Sequence, residues 1–138
     1  MGQAAIFETR GNQDCHVILR GGKHPNYSAA DVEAACALLR ASGLREQVMI
    51  DVSHANSSKQ HQRQITVAAE VAQQIATGDA RITGLMIESH LQEGRQDIVP
   101  GQPLQHGVSV TDACISLAQT VPVLQNLACA VRTRRAGG

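Results

Sequence analysis

Aromatic side chains are almost missing from this sequence: Phe7 and Tyr27 are the only two, and there is no tryptophan. Binding single-stranded nucleic acid by stacking needs aromatic platforms, and gripping its backbone needs a basic surface. Neither is present, since Lys plus Arg and Asp plus Glu number 12 each and the formal charge is zero. The arginines of the terminal RTRRAGG therefore read as a solvated, frayed end, and no nucleic-acid partner is expected. No apolar run approaches membrane-spanning length, and the opening MGQAAIFETRGN lacks the charged start and apolar centre of a signal peptide. A cytoplasmic protein without membrane contact is expected. The four cysteines, at 15, 36, 114 and 129, form no CxxC pair. That spacing, without a secretion signal, argues against a disulfide framework, and most of them are expected to be small buried hydrophobes. Catalysis by Ser or Cys is poorly supported, because no GxSxG or Cys-His signature occurs.

What remains is one folded domain of 138 residues, 43 % hydrophobic and 17 % charged. Its plan is clearest at Val48 to Lys59, VMIDVSHANSSK. An apolar, β-favouring run (Val48, Met49, Ile50, Val52) turns polar at Ser53, His54, Asn56, Ser57 and Ser58, ahead of an amphipathic helix. A buried strand that feeds a polar turn and a helix is where α/β proteins put their chemistry.

The other segments repeat that plan. Residues 4–9 (AAIFET) suggest a short strand, and Cys15 to Leu19 a clearer one ended by Arg20-Gly21-Gly22-Lys23. Ser28 can cap a helix with Val32, Ala35, Cys36 and Leu39 inward, stopped by Gly43. Ser57 and Gln60 have capping-box spacing before a helix that carries Ile65, Ala68, Ala69, Ala72 and Ile75 on one face, closed by Gly78. Ile82 to Ile87 is a third apolar run, ending in Glu88-Ser89-His90. About twenty aperiodic residues follow to Val110, a length usual for functional loops. Thr111 and Asp112 are expected to open a final helical region with Leu124, Leu127, Ala128 and Val131 inward and Pro122 marking a break.

Strands that are apolar throughout, separated by amphipathic helices, predict a parallel sheet covered by helices. Arg20, His54 and Glu88 are spaced 34 residues apart each time. Right-handed crossovers bring such positions to one end of the sheet. His54, Glu88 and Asp112 then supply an imidazole and two carboxylates, a set suited to Mn, Fe, Co or Zn. Each has a bland reading too: His54 as a histidine bonded within its turn, Asp112 as a helix-capping acid. Glu88 is harder to explain blandly, because a carboxylate straight after a buried strand is costly unless paired or metal-bound. Arg20, with two glycines whose N–H groups are free, reads as a phosphate site or as a surface salt bridge. Asp51 can orient a neighbour as an acceptor. The remaining histidines and Lys23 and Lys59 are background.

The segments GNQDCHVILRGGKHPNYS, QVMIDVSHANSSKQ, GLMIESHLQEG and SVTDACI, in that order, closely resemble the C-terminal part of the first-type 3-deoxy-D-arabino-heptulosonate 7-phosphate (DAHP) synthases. That resemblance runs through nearly all of the chain. It implies the last three strand-helix units of a (β/α)8 barrel over residues 13–135, with residues 1–12 a remnant of the family's inserted hairpin. It further implies a transferase of the shikimate pathway that joins phosphoenolpyruvate to erythrose 4-phosphate on a divalent metal, Mn, Fe or Co. By the same resemblance His54, Glu88 and Asp112 match three of four metal ligands, Arg20 matches an arginine that holds the phosphate of phosphoenolpyruvate, and Asp112 lies near the aldehyde. His54 and Asp112 are the candidate catalytic groups. The fourth ligand, a cysteine of the first barrel strand, has no counterpart here. Two further expectations follow: a partner that covers the open strand edges, as a second copy or a complementary N-terminal barrel chain, and, as the alternative to an enzyme, a non-catalytic remnant with a weak metal and phosphate site.

Overall fold

The computed structural model describes residues 4–12 and 14–137. Its elements are β1 (Val17–Leu19), α1 (Ala29–Ala41), β2 (Val48–Asp51), α2 (Arg63–Ala76), β3 (Ile82–Met86), β4 (Ser89–His90), β5 (Ile115–Ser116) and α3 (Leu117–Ala136). The first three strands form a sheet in the order β1-β2-β3, and β4 pairs with β5. All of these pairings are parallel. The expected α/β organisation with consecutive parallel strands is what the chain adopts.

The centre of the sheet is β2. Val48, Ile50 and Val52 are wholly buried and pack with Val32 and Cys36 of α1 and with Val67, Ala68 and Val71 of α2. Each such side chain contributes about 1.5–3 kcal/mol relative to exposure, so β2 fails as a strand only if the whole layer fails. Ser28 caps α1 in a full capping box with Asp31. Gly43, just past the helix, holds the left-handed backbone that ends it, at φ 68°.

Several expectations are corrected. Residues 4–9 form no strand; they run exposed and unpaired because no neighbouring strand meets them, and residues 1–3 of the supposed hairpin remnant lie outside the described residues. Ser57 does not cap α2. The polypeptide makes tight turns through 54–62, and α2 starts at Arg63 after Gln62 with no side-chain cap. The buried stripe of α2 is Gln64, Val67, Ala68, Val71, Ala72 and Ile75, whereas Ala69 is exposed. Asp112 does not open a helix either: α3 is capped by Ser116 and Gln119, and Pro122 sits inside it without ending it. α3 packs chiefly on α2, with Thr120, Val123 and Ala130 buried, while Leu124 is 52 % exposed on a groove beside β3. Cys36 and Cys114 are buried but Cys15 and Cys129 are exposed, and all four are free.

A buried asparagine fastens the C-terminal ends of β1 and β2 together. Asn56 is inaccessible to solvent and donates to Leu19 O at 3.0 Å and to Asp51 O at 2.8 Å. Its oxygen accepts from Asn26 N–H at 2.8 Å. Gly21 lies so close that a Cβ would stand 2.7 Å from Ala55 Cβ, and its φ of 75° suits glycine. Replacing Asn56 by Ala strands two carbonyls and an amide, so Asn56→Ala is expected to lose about 2–4 kcal/mol in urea unfolding. A loss below ~0.5 kcal/mol would mean that water replaces the amide.

Candidate active site

The polar groups gather where β1, β2 and β3 end. A cleft of roughly 480 Å³ is lined by Arg20, His54, Lys59, His61, Glu88, Arg95 and Asp112 among others. Arg20 follows β1, His54 follows β2, Glu88 follows β3, and Asp112 precedes β5. The structure thus brings together all four of the residues singled out by spacing and motif.

His54 is held by a buried acid. Asp51 has no solvent exposure, and its Oδ2 lies 2.7 Å from His54 Nδ1. Its other oxygen accepts from Ser53 N–H at 2.8 Å and from Ser53 Oγ–H at 2.7 Å. A carboxylate accepts, so Nδ1 carries a proton. Nε2 is the ring nitrogen turned toward the cleft, where Glu88 Oε1 is 3.7 Å away. His54 adopts a left-handed backbone, φ 44°, as do Ser58 and Lys59 at 54° and 59°. Three such residues in one loop amount to stored strain of about 1–3 kcal/mol each, a feature that clusters at functional sites.

Glu88 is held through its backbone by Gln64, whose Oε1 accepts from Glu88 N–H at 2.8 Å and whose Nε2 donates to Glu88 O at 3.1 Å. Asp112 is exposed on the loop ahead of β5 and caps nothing, so its bland reading falls. One donor atom from each of His54, Glu88 and Asp112 lies within 4.8 Å of the others. Two ligands of one cation at metal–oxygen distances of ~2.0–2.2 Å are separated by at most about twice that, close to the observed spread. An imidazole nitrogen and two acid groups facing one another make an arrangement that a cation stabilises. Burial raises the Glu88 carboxyl above its ordinary range; His54 opposes this, while Asp112 and Asp51 push the same way.

Arg20 is exposed and has no hydrogen bond or ion pair among the described residues. The glycine N–H groups beside it are not free, contrary to expectation: Gly21 N–H donates to Asn26 Oδ1 at 2.7 Å and Gly22 N–H to His24 O at 3.0 Å. The loop uses them to close on itself, so neither glycine N–H is free beside the guanidinium. Sequence reasoning missed His61 as well. Its Nε2 meets Glu93 Oε1 at 2.9 Å, and Gln62 and Gln119 also donate to Glu93, which ties the start of α2 to α3. Only proximity in the fold reveals that knot, since no local spacing carries it. Arg95 lines the cleft but is paired with Asp97.

Comparison with known proteins adds the deciding observation: the model of the DAHP synthetase I family matches residues 1–125. The chain belongs to that family. It is 55 % identical over 134 residues to the Phe-sensitive phospho-2-dehydro-3-deoxyheptonate aldolase of Escherichia coli strain K12, covering 97 % of this chain and 38 % of that one. It is 54 % identical to the tyrosine-inhibited phospho-2-dehydro-3-deoxyheptonate aldolase of Schizosaccharomyces pombe, covering 97 % and 37 %. A solved phospho-2-dehydro-3-deoxyheptonate aldolase from Francisella tularensis superposes with a TM-score of 0.88 at 48 % identity, over 94 % of this chain and 38 % of that one. The chain therefore spans under two fifths of the length of these DAHP synthetase I relatives.

The raised Glu88 carboxyl has a consequence for stability. Between the ordinary glutamate value, 4.5, and the raised one, the folded chain binds a proton that the unfolded chain has released. Stability from this group is therefore lost as pH rises through that window. Without divalent cations, Glu88→Gln is expected to be more stable than the parent at neutral pH and to lose that advantage below the ordinary carboxylate range. Urea unfolding in chelator on both sides of the window measures it; an advantage independent of pH would show that Glu88 is not held against its charge.

Proposed function

We propose that this chain carries the cation-binding and phosphoenolpyruvate-binding side of a DAHP synthase, as the last three strand-helix units of a (β/α)8 barrel over residues 13–135. The observation that carries the reading is the meeting of His54, Glu88 and Asp112 beside Arg20 at one end of a parallel sheet, in a chain of this family. In barrels of this kind the C-terminal strand ends carry the catalytic groups.

The substrates on this reading are phosphoenolpyruvate and erythrose 4-phosphate. One nitrogen and two carboxylate donors suit Mn, Fe or Co; such an ion supplies Lewis-acid polarisation of the aldehyde carbonyl. Arg20 offers a planar fork to the phosphate of phosphoenolpyruvate. His54, its ring fixed by Asp51, and Asp112 orient the aldehyde so that the enol carbon reaches its carbonyl carbon. Water then adds at the carbon that still bears the phosphate ester while the former aldehyde oxygen takes up the proton released. The bond from that carbon to the ester oxygen breaks, so that phosphate departs with Arg20 meeting its charge. Residues 4–12, which form no strand and leave Ile6 and Phe7 exposed, are on this reading the trailing end of an inserted hairpin. β1 has one strand neighbour, and Val17 and Ile18 are 40 % and 42 % exposed. An open edge of that kind calls for a completing partner, either a second copy or the remaining part of a barrel. The site of action is the cytoplasm; among the described residues no helix is long and apolar enough to cross a membrane.

Two measurements test this. In Mn²⁺ titrations His54→Ala and Glu88→Ala are each expected to weaken binding by more than ~100-fold, beyond what loss of an outer partner costs; parental affinity in both would refute the ligand assignment. For turnover, loss of phosphoenolpyruvate is followed for the chain alone and for the chain mixed with the unmatched part of the E. coli relative. Consumption that depends on His54 is the expected result. None under either condition would leave a binding remnant as the reading.

A further inference from the structure

Gln64 is fully buried, in the stripe of α2 that otherwise holds Val67, Ala68, Val71, Ala72 and Ile75. Both ends of its amide go to one peptide: Oε1 accepts from Glu88 N–H at 2.8 Å and Nε2 donates to Glu88 O at 3.1 Å. The same carbonyl accepts from Ile115 N–H at 3.0 Å. In a parallel ladder such groups belong to the neighbouring strand. The neighbour here is β2, whose last pairing joins Asp51 to Met86 and whose Val52 N–H donates to Met86 O at 3.0 Å. Beyond that point the polypeptide turns away at Ser53 into the loop that carries His54. Glu88 thus lies two residues past the last paired residue of β3, Met86.

We propose that Gln64 is a positioning residue that stands in for the missing strand, fixing the Glu88 peptide so that its carboxylate meets His54 and Asp112. The proposal rests on the reading of those three groups as a cation site. A residue that merely fills space has no need of an amide, because burying one costs free energy unless both ends are bonded. Met matches the volume without the bonds, and Asn has the amide one methylene too short. Gln64 also lies ten residues after His54 on the same continuous loop and helix. The clamp therefore sets one cleft group relative to the other, which simple core packing of α2 would not do.

The test uses the full chain, with Gln64→Met, Gln64→Asn and, as a control for general destabilisation of α2, Val67→Ala. Mn²⁺ affinity of the folded fraction and amide exchange at Glu88 are both read. Gln64→Met is expected to lose about 10-fold or more in Mn²⁺ affinity and to exchange the Glu88 amide correspondingly faster, while Val67→Ala keeps the parental values of both. Gln64→Asn gives the same readouts if the Met variant folds poorly. Parental affinity in the Gln64 variants, or an equal loss in Val67→Ala, overturns the proposal. If the parent itself does not bind Mn²⁺, the cation reading fails separately and exchange alone decides the clamp: acceleration confined to Glu88 and its neighbours upholds it, and unchanged exchange overturns it.

Discussion

Backbone groups that leave a sheet must still be hydrogen-bonded where water cannot reach them, and that constraint shapes everything at the ends of these strands. β2 turns away at Ser53, where the carbonyls of Leu19 and Asp51 and the N–H of Glu88 meet side chains in place of a further β2 residue. Two buried amide side chains fill that role. Asn56 satisfies Leu19 and Asp51 and also accepts from Asn26; Gln64 satisfies Glu88. Because each of these side chains bridges two elements, satisfying the backbone also fixes where Arg20, His54 and Glu88 stand relative to one another.

The same region concentrates acid groups that repel one another. Burial raises the carboxyl of Glu88, and Asp112 and Asp51 add to that effect while His54 opposes it. A fold selected for stability alone would place apolar groups there, since a buried or half-buried charge is rarely worth its desolvation. The cost is local and has a local remedy, because a divalent ion converts mutual repulsion into shared attraction. Asp51 holds a proton on Nδ1 of the imidazole, a hydrogen bond of the kind that commonly orients metal-binding histidines.

Much of this was legible in the residues. The apolar runs at Val48 and Ile82 gave the strands, Ser28 the first helix start, and the equal spacing of Arg20, His54 and Glu88 the shared end of the sheet. What failed did so for physical reasons. Ser57 and Gln60 have the spacing of a capping box, but the left-handed turns at His54, Ser58 and Lys59 postpone the helix to Arg63. The apolar residues of α2 alone give the wrong phase: Ala69 is exposed, and the polar Gln64, at the right interval before Val67 and Ala68, is part of the buried stripe. Thr111-Asp112 resembled a helix start, yet Ser116 and Gln119 form the real box four residues on. Long-range knots such as His61 with Glu93 carry no sequence signal, since they depend on how α2 and α3 meet.

The open edge of β1 and the exposed face of α3 raise the question of what the site needs from outside the chain. The bonds that hold the trio are all internal: Asp51 to His54 is three residues apart, Gln64 to Glu88 is twenty-four, and the pairing that places Asp112 runs from Glu88 O to Ile115 N–H. None passes through β1's free edge or the apolar groove beside β3. The arrangement of the three donors is therefore set by neighbouring strand-helix units and not by closure of the sheet. On the proposed function, cation binding and turnover make different demands on the same fold, the first met by short local loops and the second by the walls of a complete barrel.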